Sequence, residues 1–139
     1  MATHDELKEL SLQRLEDAQT LLSASRYDAA AYMCGYVLEL ALKACVCKRL
    51  RVPEYPEKEL KGAFKTHDFD DLALLAGLRT EIDSRANPEL FARWSTVAGW
   101  TPEWRYRPAG SVSKTDAWDM MKALEEKPHG VLRWLKRRW

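Results

Sequence analysis

The chain of 139 residues sets 22 Lys plus Arg against 21 Asp plus Glu, a net charge of +1 that excludes holding nucleic acid or membrane by bulk charge alone. With 46% hydrophobic and 31% charged residues, the composition is that of a globular domain and excludes wholesale disorder. All six tryptophans lie from Trp94 onward; residues 1–70 hold 10 basic and 12 acidic side chains and residues 71–139 hold 12 and 9, so the second half is mildly basic and aromatic.

Asp5 to Ala24 has helical periodicity, with Leu7, Leu15, Ala18, Leu21 and Leu22 on one face and Lys8, Glu9, Glu16 and Gln19 opposite. Thr3 followed by Glu6 predicts a capping box at its start. After a break at Ser23–Arg26, a second helix runs from about Tyr27 to Leu50. Tyr27, Ala31, Cys34, Leu38, Ala41, Leu42 and Cys45 form its apolar stripe, and the reverse side is also largely apolar, as in a helix packed on several sides. Pro53 and Pro56 end it. Residues 51–66 read as a loop or short turn. A third helix is expected from Thr66–Asp68 to Gly77, with Asp70 and Asp71 in its first turn. A fourth starts at Asn87-Pro88, a cap followed by a favourable proline, and reaches about Ala98. Gly99 to Ser113 is a loop; Ser113 with Asp116 opens a fifth helix, capped like the first, which Pro128 kinks or divides. Trp134 to Trp139 reads as a basic, aromatic tail. The predicted class is all-α: a single up-and-down bundle of four to five helices with a long central second helix, spanning residues 1–139.

Cys34, Cys45 and Cys47, an odd number in an apolar helix, predict reduced, buried thiols in a cytoplasmic protein. MATHDELKEL is acidic where a secretory leader would be charged and then apolar. The apolar run from Ala29 to Cys47 has the length of a membrane span, but Glu39 and Lys43 near its middle would each cost about 3 kcal/mol in lipid. A buried helix is the expectation, with no membrane partner. Cys45 and Cys47 point to different sides of a helix and Cys34 lies far along its axis, so no metal site is expected. No cofactor is implied, since neither a phosphate-cradling glycine loop nor a Ser-His-Asp signature is present.

Chemistry concentrates in two places. Tyr32, Tyr36, Glu39 and Lys43 fall at i, i+4, i+7 and i+11 on one stripe of the second helix, with Gly35 beside it leaving room for close approach. Glu39 four residues before Lys43 is the favourable order for a helical ion pair. This seam serves either as a binding surface for a partner or ligand, or as an internal ion pair that holds helices in register. The loop Trp100-Thr-Pro-Glu-Trp104-Arg105-Tyr106-Arg107 interleaves aromatics with guanidinium groups, a combination that stacks on bases and contacts phosphates. Its alternative role is packing, with Trp100 and Trp104 plugging the bundle end. Arg133, Lys136, Arg137 and Arg138 make the terminal segment a further basic surface, for RNA, an acidic partner or solvent.

Ser25 to Ala44, SRYDAAAYMCGYVLELALKA, resembles the central helix of the HEPN domain family (higher eukaryotes and prokaryotes nucleotide-binding). The matching positions are Arg26-Tyr27, Ala30, Tyr32, Gly35-Tyr36, Glu39 and Ala41-Leu42-Lys43. THDFDDL, Thr66 to Leu72, is similar to the family's Thr-His-Asp-Leu element, with Phe69 where Leu is usual. WRYRP, Trp104 to Pro108, is similar to its Arg-Tyr-Pro element, with Arg107 inserted before the proline. The resemblance implies a bundle that dimerises through its long helices and binds RNA or nucleotide. It further implies a prokaryotic toxin–antitoxin or defence setting, with a minimal nucleotidyltransferase as partner.

Ribonuclease members of that family carry Arg, four to six residues, then His. Here only lysines stand near that spacing: Lys61 six positions before His67, and Lys122 seven before His129. Lysine lacks the planar fork with which arginine grips two phosphate oxygens. The resemblance therefore implies a binding module using Tyr36, Glu39, Lys43, Trp104, Arg105, Tyr106 and Arg107. The alternatives are a metal-independent endoribonuclease using His67 with Lys61 or with Arg105 and Arg107, and a structural dimerisation protein. In the bland case His67, between Thr66 and Asp68, helps satisfy the free amides of a helix start; His4 and His129 read as surface residues.

Overall fold

A computed structural model describes residues 2–139. Helix α1 (His4–Ser23) begins with the expected capping box: Thr3 accepts from the Glu6 amide and Glu6 reaches back to the Thr3 amide. Its buried residues, Leu7, Ser11, Leu15, Ala18 and Leu22, make one stripe against α2 (Tyr27–Leu50). Ser11 is fully buried there because its hydroxyl donates to the Val37 carbonyl at 2.8 Å. The turn between the helices passes through Ser25 in the left-handed region (φ 61°), and Arg26 N donates to Leu21 O at 2.8 Å, reversing the chain.

Helix α2 is the axis of the molecule. It packs on α1 and, on its other sides, on α3 (Phe69–Leu75), α5 (Lys114–Glu125) and α6 (Val131–Lys136). Thirteen of its 24 residues are buried, most of them Ala, Cys or Val, small enough for neighbouring helices to approach closely from several directions. Its composition and length would suit a membrane span, yet the bundle encloses it. It ends where Arg51 turns left-handed (φ 56°), two residues before Pro53. The following loop is tied to the start of α1 by His4 N to Pro53 O (3.0 Å) and Tyr55 N to Ala2 O (2.9 Å), and Tyr55 donates to Phe64 O at 2.6 Å.

Several local expectations change. Helix α3 starts only at Phe69, because Asp68 is the cap, accepting from the Asp71 amide at 2.9 Å. Asn87 does not cap α4 (Pro88–Val97): its side chain donates instead to Glu81 O at 2.9 Å. At α5, Ser113 accepts from the Asp116 amide at 3.0 Å, but the reciprocal half of a capping box is not formed. The loop 99–113 contains a 3-10 turn, Pro102–Tyr106. Pro128 divides the chain, so that α5 ends at Glu125 and a sixth α-helix begins at Val131. The expected basic tail, Trp134–Trp139, is therefore partly core: Trp134 and Leu135 are buried, continuing the buried face that Val131 and Leu132 begin. Gly130 permits this packing: a Cβ there would strike the carbonyls of Leu124 and Glu126.

Candidate functional site

The seam of α2 is completed from two other elements. Tyr32 and Tyr36 share a hydrogen bond between their hydroxyls (3.1 Å) and meet edge to face, 5.2 Å between ring centres. Trp100, buried, leans on Tyr36 at 5.0 Å and stacks on Phe69 of α3 at 5.5 Å. It occupies the space over Gly35, where any Cβ would overlap the indole ring. Burial and the Tyr32 hydrogen bond push the Tyr36 phenol up to about 12, so it remains a hydroxyl donor at neutral pH.

One helical turn further, Glu39 is only 4% exposed. Both carboxylate oxygens are engaged: Oε2 lies 3.7 Å from Lys43 Nζ, and Oε1 takes a hydrogen bond from His67 Nδ1. The Lys43 ammonium also sits over the Tyr55 ring, 5.1 Å from its centre. Sequence spacing anticipated the Glu39–Lys43 pair and missed His67 as its third member, because the contact crosses 28 residues. His67 does not serve the start of α3; Thr66 accepts from the Asp68 amide (3.1 Å) and Asp68 caps the helix. With a carboxylate holding Nδ1, the neutral ring carries its proton there and presents Nε2 as a base. The side chain is 57% exposed, and no hydrogen bond among the described residues reaches Nε2.

Lys61, offered with His67 by sequence spacing, lies on an exposed turn where Leu60, Lys61 and Gly62 all have positive φ. No hydrogen bond or ion pair among the described residues connects it to His67. His129 is exposed as expected; His4 is half-buried rather than superficial, with Nδ1 3.4 Å from Asp5 and Nε2 buried without a partner.

The aromatic–arginine loop flanks the seam. Arg105 lies over Tyr106, 4.8 Å from the ring centre, and the Tyr106 and Tyr32 phenols beside it raise its pKa further. Arg107 lies over Trp104 at 4.5 Å. Tyr106 is 73% exposed and Trp104 is half-buried. The loop is fixed at both ends: Trp100 anchors one end in the core, and Asp28 in the first turn of α2 anchors the other, accepting from Gly110 N (2.6 Å) and Val112 N (2.8 Å). Those two bonds hold the Asp28 carboxyl below the ordinary carboxylate range, and Arg107 adds to the effect. No sequence signal pointed to Asp28, whose partners lie more than 80 residues away.

The structure thus brings Tyr36, Glu39, Lys43 and His67 onto one connected stripe and sets Arg105 at its Tyr32 end. Arg107 and Trp104 lie on the flank. Tyr32 and Glu39 are seven residues apart, about 10 Å along a helix axis. No group of His, Cys, Asp and Glu among the described residues could hold a metal ion. The thiols of Cys34 and Cys45 are pushed up to about 12 by burial, which leaves them without thiolate character.

Comparison with curated proteins and with solved structures returns no match. A model of the HEPN domain family matches residues 4–137. With nearly the whole chain inside that match, and the three sequence elements drawn together around α2, the chain belongs to the HEPN domain family.

Proposed function

We propose that this chain is an RNA- or nucleotide-binding module whose contact surface is the loop Trp104–Arg107 together with the Tyr32–Tyr36–His67 side of α2. The observation that carries this reading is the pair of cation–π stacks, Arg105 on Tyr106 and Arg107 on Trp104, beside the seam. Guanidinium groups held over aromatic rings offer both a π surface for bases and donors for phosphate oxygens. Family membership supports the same class of ligand. The module acts in the cytoplasm, a reading supported by the buried, unpaired thiols of Cys34, Cys45 and Cys47; the family resemblance supports a homodimer through the long helices, beside a minimal nucleotidyltransferase in a prokaryotic toxin–antitoxin or defence system.

Titration of a fluorescent single-stranded RNA over a range of salt concentrations tests the reading. The double variant Arg105→Ala, Arg107→Ala should weaken binding and flatten its salt dependence by roughly two phosphate contacts. Unchanged affinity and slope would place the site elsewhere.

The Glu39–His67 hydrogen bond favours a second reading, an endoribonuclease. His67 Nε2 would take the proton from a ribose 2′-hydroxyl, whose oxygen attacks the adjacent phosphorus. The bond to the 5′-oxygen then breaks, that oxygen leaves as a hydroxyl with the proton returned by His67 Nε2 through water, and a 2′,3′-cyclic phosphate remains, with Arg105 or Arg107 compensating the extra negative charge. Incubating RNA with wild type and with His67→Ala decides it, since intact RNA in both defeats the proposal.

A further inference from the structure

Outside the seam, a groove of about 260 Å³ runs between the end of α4, the 99–113 loop and the first turns of α5. Its lining is chemically polarised. Trp104, Val112 and Met120 supply its apolar lining, Arg107 over the Trp104 ring supplies a cation, and Asp116 and Asp119 of α5 supply two carboxylates. A smaller recess of about 20 Å³ shares Trp104, Arg107, Ser111 and Val112 with it and is also lined by Asp28. Asp116 and Asp119 are three residues apart and so share a helix face, and both are exposed. Neither carboxylate forms an ion pair or hydrogen bond among the described residues, and Arg107 forms no ion pair. Three charged side chains thus line one concave site without a hydrogen bond or ion pair between them among the described residues.

We infer that this groove is a guanine subsite: it takes the base of a guanine nucleotide, free or within an RNA strand, with the phosphate directed to Arg107. The inference rests on the RNA- or nucleotide-binding reading and specifies its ligand. At about 260 Å³ the groove is below the roughly 300–1,000 Å³ usual for drug-sized ligands and suits a ligand no larger than one nucleoside. A flat base fits against the indole–guanidinium stack. Ionised carboxylates only accept hydrogen bonds, so the edge facing α5 must be a row of donors. Guanine has that edge, with N1–H and the N2 amino group side by side, matched to the two oxygens of one carboxylate. Adenine sets an unprotonated N1 against the same oxygens and is repelled; inosine keeps N1–H and loses the amino group. The carboxylates also set the ligand's polarity, because a phosphate is repelled by Asp116 and Asp119 and attracted by Arg107.

Calorimetric titration of the full chain with GMP, IMP and AMP, and separately with an oligouridylate, tests the inference. GMP should bind at least tenfold more tightly than AMP, the discrimination typical of one good bidentate base contact, with IMP between them. Asp116→Asn or Asp119→Asn, whichever carboxylate makes the contact, should reduce GMP to the level of AMP, while Trp104→Ala weakens all three nucleotides. Circular dichroism confirms that each surface variant is folded. Equal affinity for GMP and AMP, or a GMP preference that survives both aspartate substitutions, overturns the guanine subsite. If the oligouridylate binds while no guanine preference is seen, the subsite falls and the RNA-binding reading stands. Failure to bind any of the four ligands overturns both.

Discussion

Glu39 and His67 are joined by a hydrogen bond from the buried middle of α2 to the exposed segment ahead of α3. A carboxylate only 4% exposed survives in the core because His67 and Lys43 both answer it. Removing it should be costly. Glu39→Ala leaves the Lys43 ammonium, itself 13% exposed, without its counter-charge. The expected loss is about 3 kcal/mol, the low end for breaking a buried pair, since the Tyr55 ring still faces the ammonium. Urea unfolding of Glu39→Ala and Glu39→Gln checks this, with the glutamine variant losing less.

Gly35 is where α2 admits Trp100. Gly35→Ala places a methyl group within the indole ring, so Trp100 must move from its stack on Phe69. A loss of about 1–3 kcal/mol is expected for such overpacking, although alanine is the better helix former by about 1 kcal/mol. A Gly35→Ala variant as stable as wild type in thermal unfolding would contradict this packing.

Asp28 gives the loop an acid-sensitive anchor. Its folded pKa lies below the usual value, so its contribution is complete above the ordinary carboxylate pKa of about 3.9. It is lost as the pH falls through the lower, folded value. Asp28→Asn should therefore destabilise the protein at neutral pH and reduce the steepness of its stability loss at acid pH. Amide hydrogen exchange at Gly110 and Val112 should also quicken. Wild-type protection of those two amides in the variant would show that something else holds the loop.

Helix α6 is part of the core despite its basic sequence. Leu132 and Leu135 are fully buried, and Leu132→Ala or Leu135→Ala should cost about 2–5 kcal/mol. Lys136, one position beyond Leu135 and exposed, should tolerate alanine within about 0.5 kcal/mol. Denaturant midpoints for the three variants distinguish a docked helix from a solvated tail, for which all three would match wild type.

The second helix was legible almost to the residue, because a long apolar stripe bounded by Arg26 and Pro53 leaves the chain little choice. The capping box at Thr3 was equally plain, since all its atoms lie within four residues. Expectations failed where a side chain had a better distant partner: Asn87 bonds Glu81 rather than capping α4, and Trp134 packs in the core with its indole N–H directed to Glu81 (3.5 Å). The seam was half visible. Tyr32, Tyr36, Glu39 and Lys43 lie on one helix and obey its spacing, so periodicity finds them.

The amino-acid order by itself determined the helical class, the central helix and the residues able to carry chemistry, because these follow from short-range spacing and side-chain type. Only the tertiary structure decided that His67 completes the Glu39–Lys43 pair, that Asp28 and Trp100 anchor the arginine loop, and that Asp116, Asp119 and Arg107 share one groove. The first two join segments distant in the chain, and all three depend on how the helices close around α2, which no local pattern encodes.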